Sequence, residues 1–184
     1  MKTFKLTLIF FILSLCFAQT IKAQSEYVVT LQNDTIKGEV KNYFDYLVKF
    51  IPEGGSEKVK YSTNEIKSFH VEKTRKYPTD CEAVKLPDKK NILFAHRVIS
   101  GKITLYELIE TSVSYDGRSS SSVTWYVKKQ GQEIIAIKTS RISFSRKERD
   151  EALFALLKDK PEVANRYQNE DKFSFDFIRS IITD

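Results

Sequence analysis

After the N-terminal segment, the histidine and cysteine residues, whose side chains commonly bind transition metals, are His70, Cys81 and His96. Zinc sites draw their ligands from Cys and His at short spacings, such as Cys-x-x-Cys or two histidines one helical turn apart. Neither spacing occurs in this sequence. We therefore interpret His70 as an outward-facing surface residue of a strand and His96 as a packed residue, and we predict no metal site and no cofactor.

A nucleophilic thiol is the next chemistry to consider. Cys81 lies in RKYPTDCEAVKLPDKKN, a stretch with two prolines and many charges, and no signature of a cysteine hydrolase surrounds it. An exported free thiol also tends to oxidise. The other cysteine, Cys16, lies in a segment that we expect to be removed, so no intramolecular disulfide is expected. We predict no catalytic role for Cys81.

Hydrolase chemistry has two further forms that the sequence could support. The run Ser119–Ser122 lacks the Gly-x-Ser-x-Gly elbow of serine hydrolases, and we interpret it as part of a polar, mobile hairpin tip. Carboxylates that are distant in sequence can converge in a fold, as they do in glycoside hydrolases. No pair stands out here, so a periplasmic hydrolase is an alternative hypothesis, and we expect a protein that is not an enzyme.

Aromatic residues are abundant, with 13 Phe, 9 Tyr and one Trp in 184 residues. Trp125 and Tyr126 are adjacent in a predicted strand and must point to opposite faces, and Tyr106 and Tyr115 lie on a strand nearby. Exposed aromatic side chains beside a loop can bind a glycan or a protein. Strands also favour aromatic residues as core components, which is the alternative interpretation. These four residues are the candidate binding surface.

The elements that position these residues begin after an N-terminal leader. MKTFKLTLIFFILSLCFAQTIKAQ places two lysines before an apolar run, and small residues follow where signal peptidase cuts. This order is typical of a secretory signal peptide, and the run is shorter than the ~20 residues that span a bilayer. We predict that residues 1–23 are the signal peptide, that the mature chain is exported to the periplasm, envelope or medium, and that it holds no transmembrane segment.

The charge of the chain gives little support to a nucleic-acid partner. The formal net charge is +6, and it would fall to +3 on cleavage because the leader holds three lysines and no acidic residue. The remaining lysines are spread along the chain rather than clustered. We therefore predict no binding to nucleic acid.

Residues 24–74 read as short strands with period-two alternation. VTLQNDTIKGEVKN places Asn33 and Asp34 between two such runs, and both residue types tolerate the left-handed backbone of a tight turn. Gly38 in the second run indicates a bulge or bend. Five strands with tight connections predict a small curled SH3-like or Sm-like sheet, and a flat meander is the alternative.

The rest of the chain divides into three parts. We expect a connecting loop over residues 75–91 and an antiparallel meander over 92–140. Residues 141–184 change to helical periodicity, with a capping-box pattern at Ser145, a proline that starts a second helix and Ser174 as the cap of a third. The predicted class is therefore α+β and mainly β, with two or three C-terminal helices.

The whole chain resembles the short, uncharacterised secreted proteins common in Bacteroidota. The motifs that carry the likeness are the leader, the VTLQNDTIKGEVKN hairpin, the middle hairpin VISGKITLYEL and the helical tail. The resemblance implies export and brings no known activity. The first hypothesis is a non-enzymatic interaction module of the envelope whose partner is a protein or a glycan. A structural subunit is a further alternative, for which an apolar patch exposed around Leu153, Leu156 and Leu157 would be the evidence.

Overall fold

A computed structural model describes residues 26–72, 79–140, 146–170 and 174–184. Its ten antiparallel strands form one open sheet in the order β10-β9-β8-β7-β6-β5-β1-β2-β3-β4, and three helices follow. The class is thus mainly β, as predicted. The predicted leader, and the predicted cap Ser145, lie outside the described residues. The elements are β1 (Tyr27–Thr30), β2 (Thr35–Phe44), β3 (Leu47–Pro52), β4 (Val59–Ser62), β5 (Ile66–Val71), β6 (Thr79–Lys85), β7 (Ile92–Ile99), β8 (Ile103–Val113), β9 (Ser119–Lys129), β10 (Ile135–Thr139), α1 (Arg146–Leu157), α2 (Pro161–Asn169) and α3 (Phe175–Thr183).

The first five strands are arranged around β1, which pairs with β2 on one side and β5 on the other. Asn33 has a φ of 71° in the turn between β1 and β2, which confirms the predicted turn. Its side-chain oxygen accepts a hydrogen bond from the Lys67 ammonium on β5. The polar residues of this hairpin therefore form a tight turn and stabilise it by hydrogen bonding to β5.

Gly38 marks a place where β2 and β3 approach closely. It pairs with Pro52, and a Cβ atom at this position would lie 2.1 Å from the Ile51 carbonyl oxygen and 2.5 Å from the Phe50 ring. Real Cβ atoms do not make such contacts, so a side chain at this position would force the strands apart. The bulge predicted at Gly38 is not there, because the register shift of β2 lies further on, between Val40 and Asn42. The structure instead requires glycine at residue 38 for the close approach of the two strands.

The prediction of a connecting loop over residues 75–91 is corrected by β6, which occupies the middle of that segment and pairs with β5 and β7. Cys81 lies within this strand and is 1% exposed, so it is a core residue rather than a loop residue. The sequence does not indicate this strand, because its polar residues interrupt the apolar alternation. They are matched by charges on neighbouring strands, as described below.

Strands β7 to β10 form the predicted meander, in which β8 and β9 make a long hairpin. The prediction that Ser119–Ser122 form part of a mobile hairpin tip is wrong, because β9 begins at Ser119 and pairs in register with β8. Hydroxyl groups face each other across the two strands, at Thr111 with Ser121 and at Ser112 with Ser120. The tip is therefore shorter than predicted.

The three helices cover one face of β8, β9 and β10. Leu153, Leu156 and Leu157 of α1 are at most 7% exposed, so they face the protein's own core and do not form the exposed apolar patch that would favour a structural subunit. In α3, the Ser174 hydroxyl accepts a hydrogen bond from the Phe177 N–H, which confirms the predicted cap. Within the described ranges, no helix has the length and apolarity needed to cross a membrane.

Candidate functional site

Trp125, the first of the predicted binding residues, lies beneath the helices and is 5% exposed. Its ring packs edge-on against Phe175 at the start of α3, with 4.7 Å between ring centroids. The indole Nε1–H donates a hydrogen bond of 3.1 Å to Glu107 Oε2 on the neighbouring strand. Trp125 thus joins the sheet to the helical layer, which is a core role.

Tyr106 and Tyr126 pair directly on the opposite face of the sheet and are also buried. The Tyr126 hydroxyl donates to both carboxylate oxygens of Asp88, and the Tyr106 hydroxyl donates to Glu82 Oε2. Burial, reinforced by these carboxylates, raises the pKa of both phenols above the ordinary value. Tyr115 alone of the four predicted residues is fully exposed, in the turn after β8. The four do not form one surface.

His70 is not the surface residue that the sequence predicted, because it is 7% exposed. Its ring stacks on Tyr27, and its Nδ1 lies 2.7 Å from Asp80 Oδ1. Arg97 on β7 binds both Asp80 and Glu82, at 3.4 and 3.7 Å. Burial would raise the pKa of Asp80, but the hydrogen bond from His70 and the charge of Arg97 outweigh it and lower that pKa. This polar row joins β5, β6 and β7.

The remaining metal-ligand candidates lie on the other face of the same strands. Cys81 pairs with His96, and His96 pairs with Glu107, so the three residues lie side by side on β6, β7 and β8. His96 Nδ1 is 3.8 Å from Glu107 Oε1. Within the part of the chain that the structure describes, no three such side chains are grouped closely enough to hold a metal ion.

An exposed aromatic group lies instead at the two-residue turn between β2 and β3. Phe44 is 52% exposed and Tyr46 is 64% exposed, and Asp45 lies between them. The Asp45 carbonyl oxygen accepts a hydrogen bond from the Phe94 N–H on β7. The turn of the N-terminal strands is therefore held against the meander.

This turn forms one wall of a surface groove of about 560 Å³. The turn between β4 and β5 and the loop between β6 and β7 form the other walls. A volume of this order lies within the roughly 300–1,000 Å³ typical of ligand sites. The lining residues are Tyr46, Ser62, Thr63, Asn64, Lys85, Lys90, Asn91 and Ile92.

The walls of the groove are fixed by local hydrogen bonds. Lys85 Nζ donates to the carbonyl oxygens of Lys89 and Lys90, at 2.7 and 2.6 Å, and so orders the β6–β7 loop. Glu65 accepts hydrogen bonds from the backbone and side chain of Ser62, which orders the β4–β5 turn and lowers the pKa of that carboxyl. The groove is therefore preorganised on all three sides.

The lining of the groove is basic and rich in hydrogen-bonding groups. Of the described residues that line it, two are lysines, four are serine, threonine or asparagine, and none is a carboxylate. The ring of Tyr46 adds an exposed flat surface. This combination can stack on one face of a ligand, bond to its polar substituents and attract negative charge.

The sequence alone does not indicate this groove. Tyr46 lies within the residues 24–74 that are predicted to form short strands, and Lys85, Lys90 and Asn91 lie within the predicted connecting loop. The signal that could have found Tyr46 is its place in the two-residue turn, where a large ring has no pleated surface to pack against. Comparisons with protein-family models, curated proteins and solved structures found no match to this chain.

Proposed function

We propose that this protein is an exported, non-enzymatic binding module of the cell envelope whose ligand is an acidic glycan. The observation that carries the proposal is the exposed ring of Tyr46 beside a groove lined by two lysines and no carboxylate among the described residues. A sugar ring presents C–H groups on its face and hydroxyl groups at its edge. The former stack on an aromatic ring, and the latter bond to the hydroxyl and amide groups of Thr63, Asn64 and Asn91.

A glycan fits the lining better than a peptide does. Peptide recognition depends on apolar anchors in desolvated pockets, whereas Ile92 is the one aliphatic side chain in the described lining. The lysines favour a sugar that carries carboxylates, such as a uronic acid. Lys90 is exposed at the rim, where its charge can guide a polyanion into the groove.

Export and architecture form part of the same proposal. The predicted signal peptide of residues 1–23 and the resemblance to secreted proteins of Bacteroidota support a place outside the inner membrane. The pairing of β5 with β1, and the core that β1, β2, β3 and β5 share, support a curled SH3-like or Sm-like N-terminal unit. In such a unit, the β2–β3 and β4–β5 turns would be the binding end.

The experiment is a calorimetric titration of residues 24–184 with a tetrasaccharide of galacturonic acid and with the matching tetrasaccharide of galactose. We expect saturable binding of the acidic sugar, weaker binding as salt is raised, and little binding of the neutral one. Equal binding of both, or of neither, would overturn the proposal. Cleavage of the sugar during incubation would favour the hydrolase hypothesis over a binding module.

A further inference from the structure

A second and smaller cavity, of about 190 Å³, lies on the other side of the β2–β3 turn. In the described register, His96 with Glu107 is the last pair between β7 and β8 in the direction of the end of β8. Beyond this pair the two strands separate, and the cavity lies there. Exposed Phe44 and Asp45 form its mouth, and buried Phe94 lies deeper in it. The lining residues are Tyr43, Phe44, Asp45, Phe94, His96, Glu107, Leu108 and Ile109.

The described lining of this cavity includes the rings of one tyrosine and two phenylalanines, and two of these three rings pack against further rings. Tyr43 packs against Phe69, with ring centroids 5.1 Å apart, and its ring also meets the edge of His96. Phe94 packs edge-on against Phe69 at 5.0 Å. The rings of Tyr43 and Phe94 are therefore held in place by packing before any ligand arrives. A cation that lies over the face of such a ring makes a cation–π contact.

The charges around the cavity are mainly negative. Asp45 and Glu107 are in the lining, and the described lining holds no lysine or arginine. Glu110 also acts on Asp45, and the nearby Lys89 is bound to Glu110 at 2.6 Å. Partial burial, followed by the charge of Glu110, raises the pKa of the Asp45 carboxyl above its ordinary value, and the charge of Lys89 only partly offsets this rise. A cation in the cavity would relieve this repulsion.

We infer that the cavity between the β2–β3 turn and strands β7 and β8 is a binding site for a small organic ammonium ion. Asp45 supplies the opposite charge at the mouth, and the rings of Tyr43, Phe44 and Phe94 surround the alkyl or methyl groups. Potassium lacks such groups and gains nothing from the apolar part of the lining, which includes Leu108 and Ile109. The site is separate from the groove, because the two share none of their described lining residues.

The test uses residues 24–184 with n-butylammonium, tetramethylammonium, n-butanol and potassium chloride as probes, read by calorimetry at neutral pH. We expect both ammonium ions to bind saturably, and neither n-butanol nor potassium to do so. Asp45→Asn should weaken ammonium binding about tenfold or more, because the charge-assisted contact is lost while the shape is kept. Asp34→Asn, which removes the same charge at the β1–β2 turn, should leave it unchanged.

Several outcomes would overturn the inference. They are no saturable ammonium binding by the unsubstituted chain, equal weakening by Asp34→Asn and Asp45→Asn, and binding of potassium as tight as that of the ammonium ions. Because the probes differ in charge from the acidic sugar, this result and the result for the groove can fail independently. A circular-dichroism melt of each variant confirms that the folded chain is being titrated.

Discussion

The Asp45 carbonyl oxygen accepts a hydrogen bond of 2.5 Å from the Phe94 N–H, and this contact joins the β2–β3 turn to the middle of the sheet. This hydrogen bond connects residues 24–74 with residues 92–140, which the sequence predicts to be separate parts of the fold. The turn it holds carries Tyr46 into the groove on one side and Phe44 towards the ammonium cavity on the other. Both proposed sites therefore depend on the geometry of β2 and β3.

Gly38→Ala tests that geometry. A Cβ at residue 38 would meet the Ile51 carbonyl oxygen at 2.1 Å, so β2 and β3 would have to shift. We expect the substitution to lower the free energy of unfolding by ~1–3 kcal/mol, measured by urea denaturation. Gly101→Ala is the matched control, since its Cβ would meet a single atom at an ordinary 3.7 Å. Equal stability of the two variants would contradict the close approach.

Glu26→Ala tests a buried carboxylate that links β2 to the residue after β5. Glu26 is 5% exposed, and its two oxygens accept hydrogen bonds from the N–H groups of Val40 and Glu72, at 2.6 and 3.2 Å. Its removal leaves a buried donor at Val40, and we expect a loss of ~1–3 kcal/mol in the free energy of unfolding. Glu57→Ala, in an exposed turn, should change stability little. An equal decrease in the free energy of unfolding of both variants would contradict this structural role of Glu26.

Trp125→Ala separates core packing from binding. Because Trp125 is buried against Phe175, we expect its truncation to cost ~3–5 kcal/mol in denaturant unfolding. Sugar affinity of the protein that remains folded should be unchanged, since Trp125 is not in the described lining of the groove. A stable Trp125→Ala variant that no longer binds the sugar would instead support the binding surface that the sequence predicts.

Asp45→Asn tests the pH dependence of stability. The pKa of Asp45 is raised in the folded state, so the folded chain holds this proton to a higher pH than the unfolded chain does. Ionisation of Asp45 therefore costs stability as pH rises through the unfolded pKa towards the folded one, and the cost persists above it. We expect Asp45→Asn to be relatively more stable at pH 7 than at pH 3, in thermal melts compared with the unsubstituted chain. The opposite trend would contradict the assigned environment.

Much of the local structure could be predicted from the sequence because it depends on near neighbours. Asn33 adopts the left-handed backbone expected of it, and Ser174 caps the last helix. The leucine stripe of α1 faces the core, as its spacing indicates. In each case the signal and the structure that it predicts lie within a few residues.

The candidate site could not be predicted in the same way, because it depends on contacts between distant segments. Alternation correctly places Trp125 and Tyr126 on opposite faces, but it cannot say that helices cover one face and the β6–β7 loop the other. The sequence predicts an exposed His70 because it does not show that Asp80, on the neighbouring strand, forms a hydrogen bond with the buried imidazole. The groove likewise joins residues from three turns that are far apart in the chain.

The proposed function depends most on Tyr46, as the residue on which the acidic glycan stacks. The most direct test compares Tyr46→Ala with Tyr115→Ala, an equally simple truncation of another exposed tyrosine in a turn, by titration with the galacturonic acid tetrasaccharide. We predict that Tyr46→Ala weakens binding about tenfold or more and that Tyr115→Ala leaves it unchanged, with both variants as stable as the unsubstituted chain. Unchanged affinity in Tyr46→Ala, or a loss confined to Tyr115→Ala, would contradict the claim.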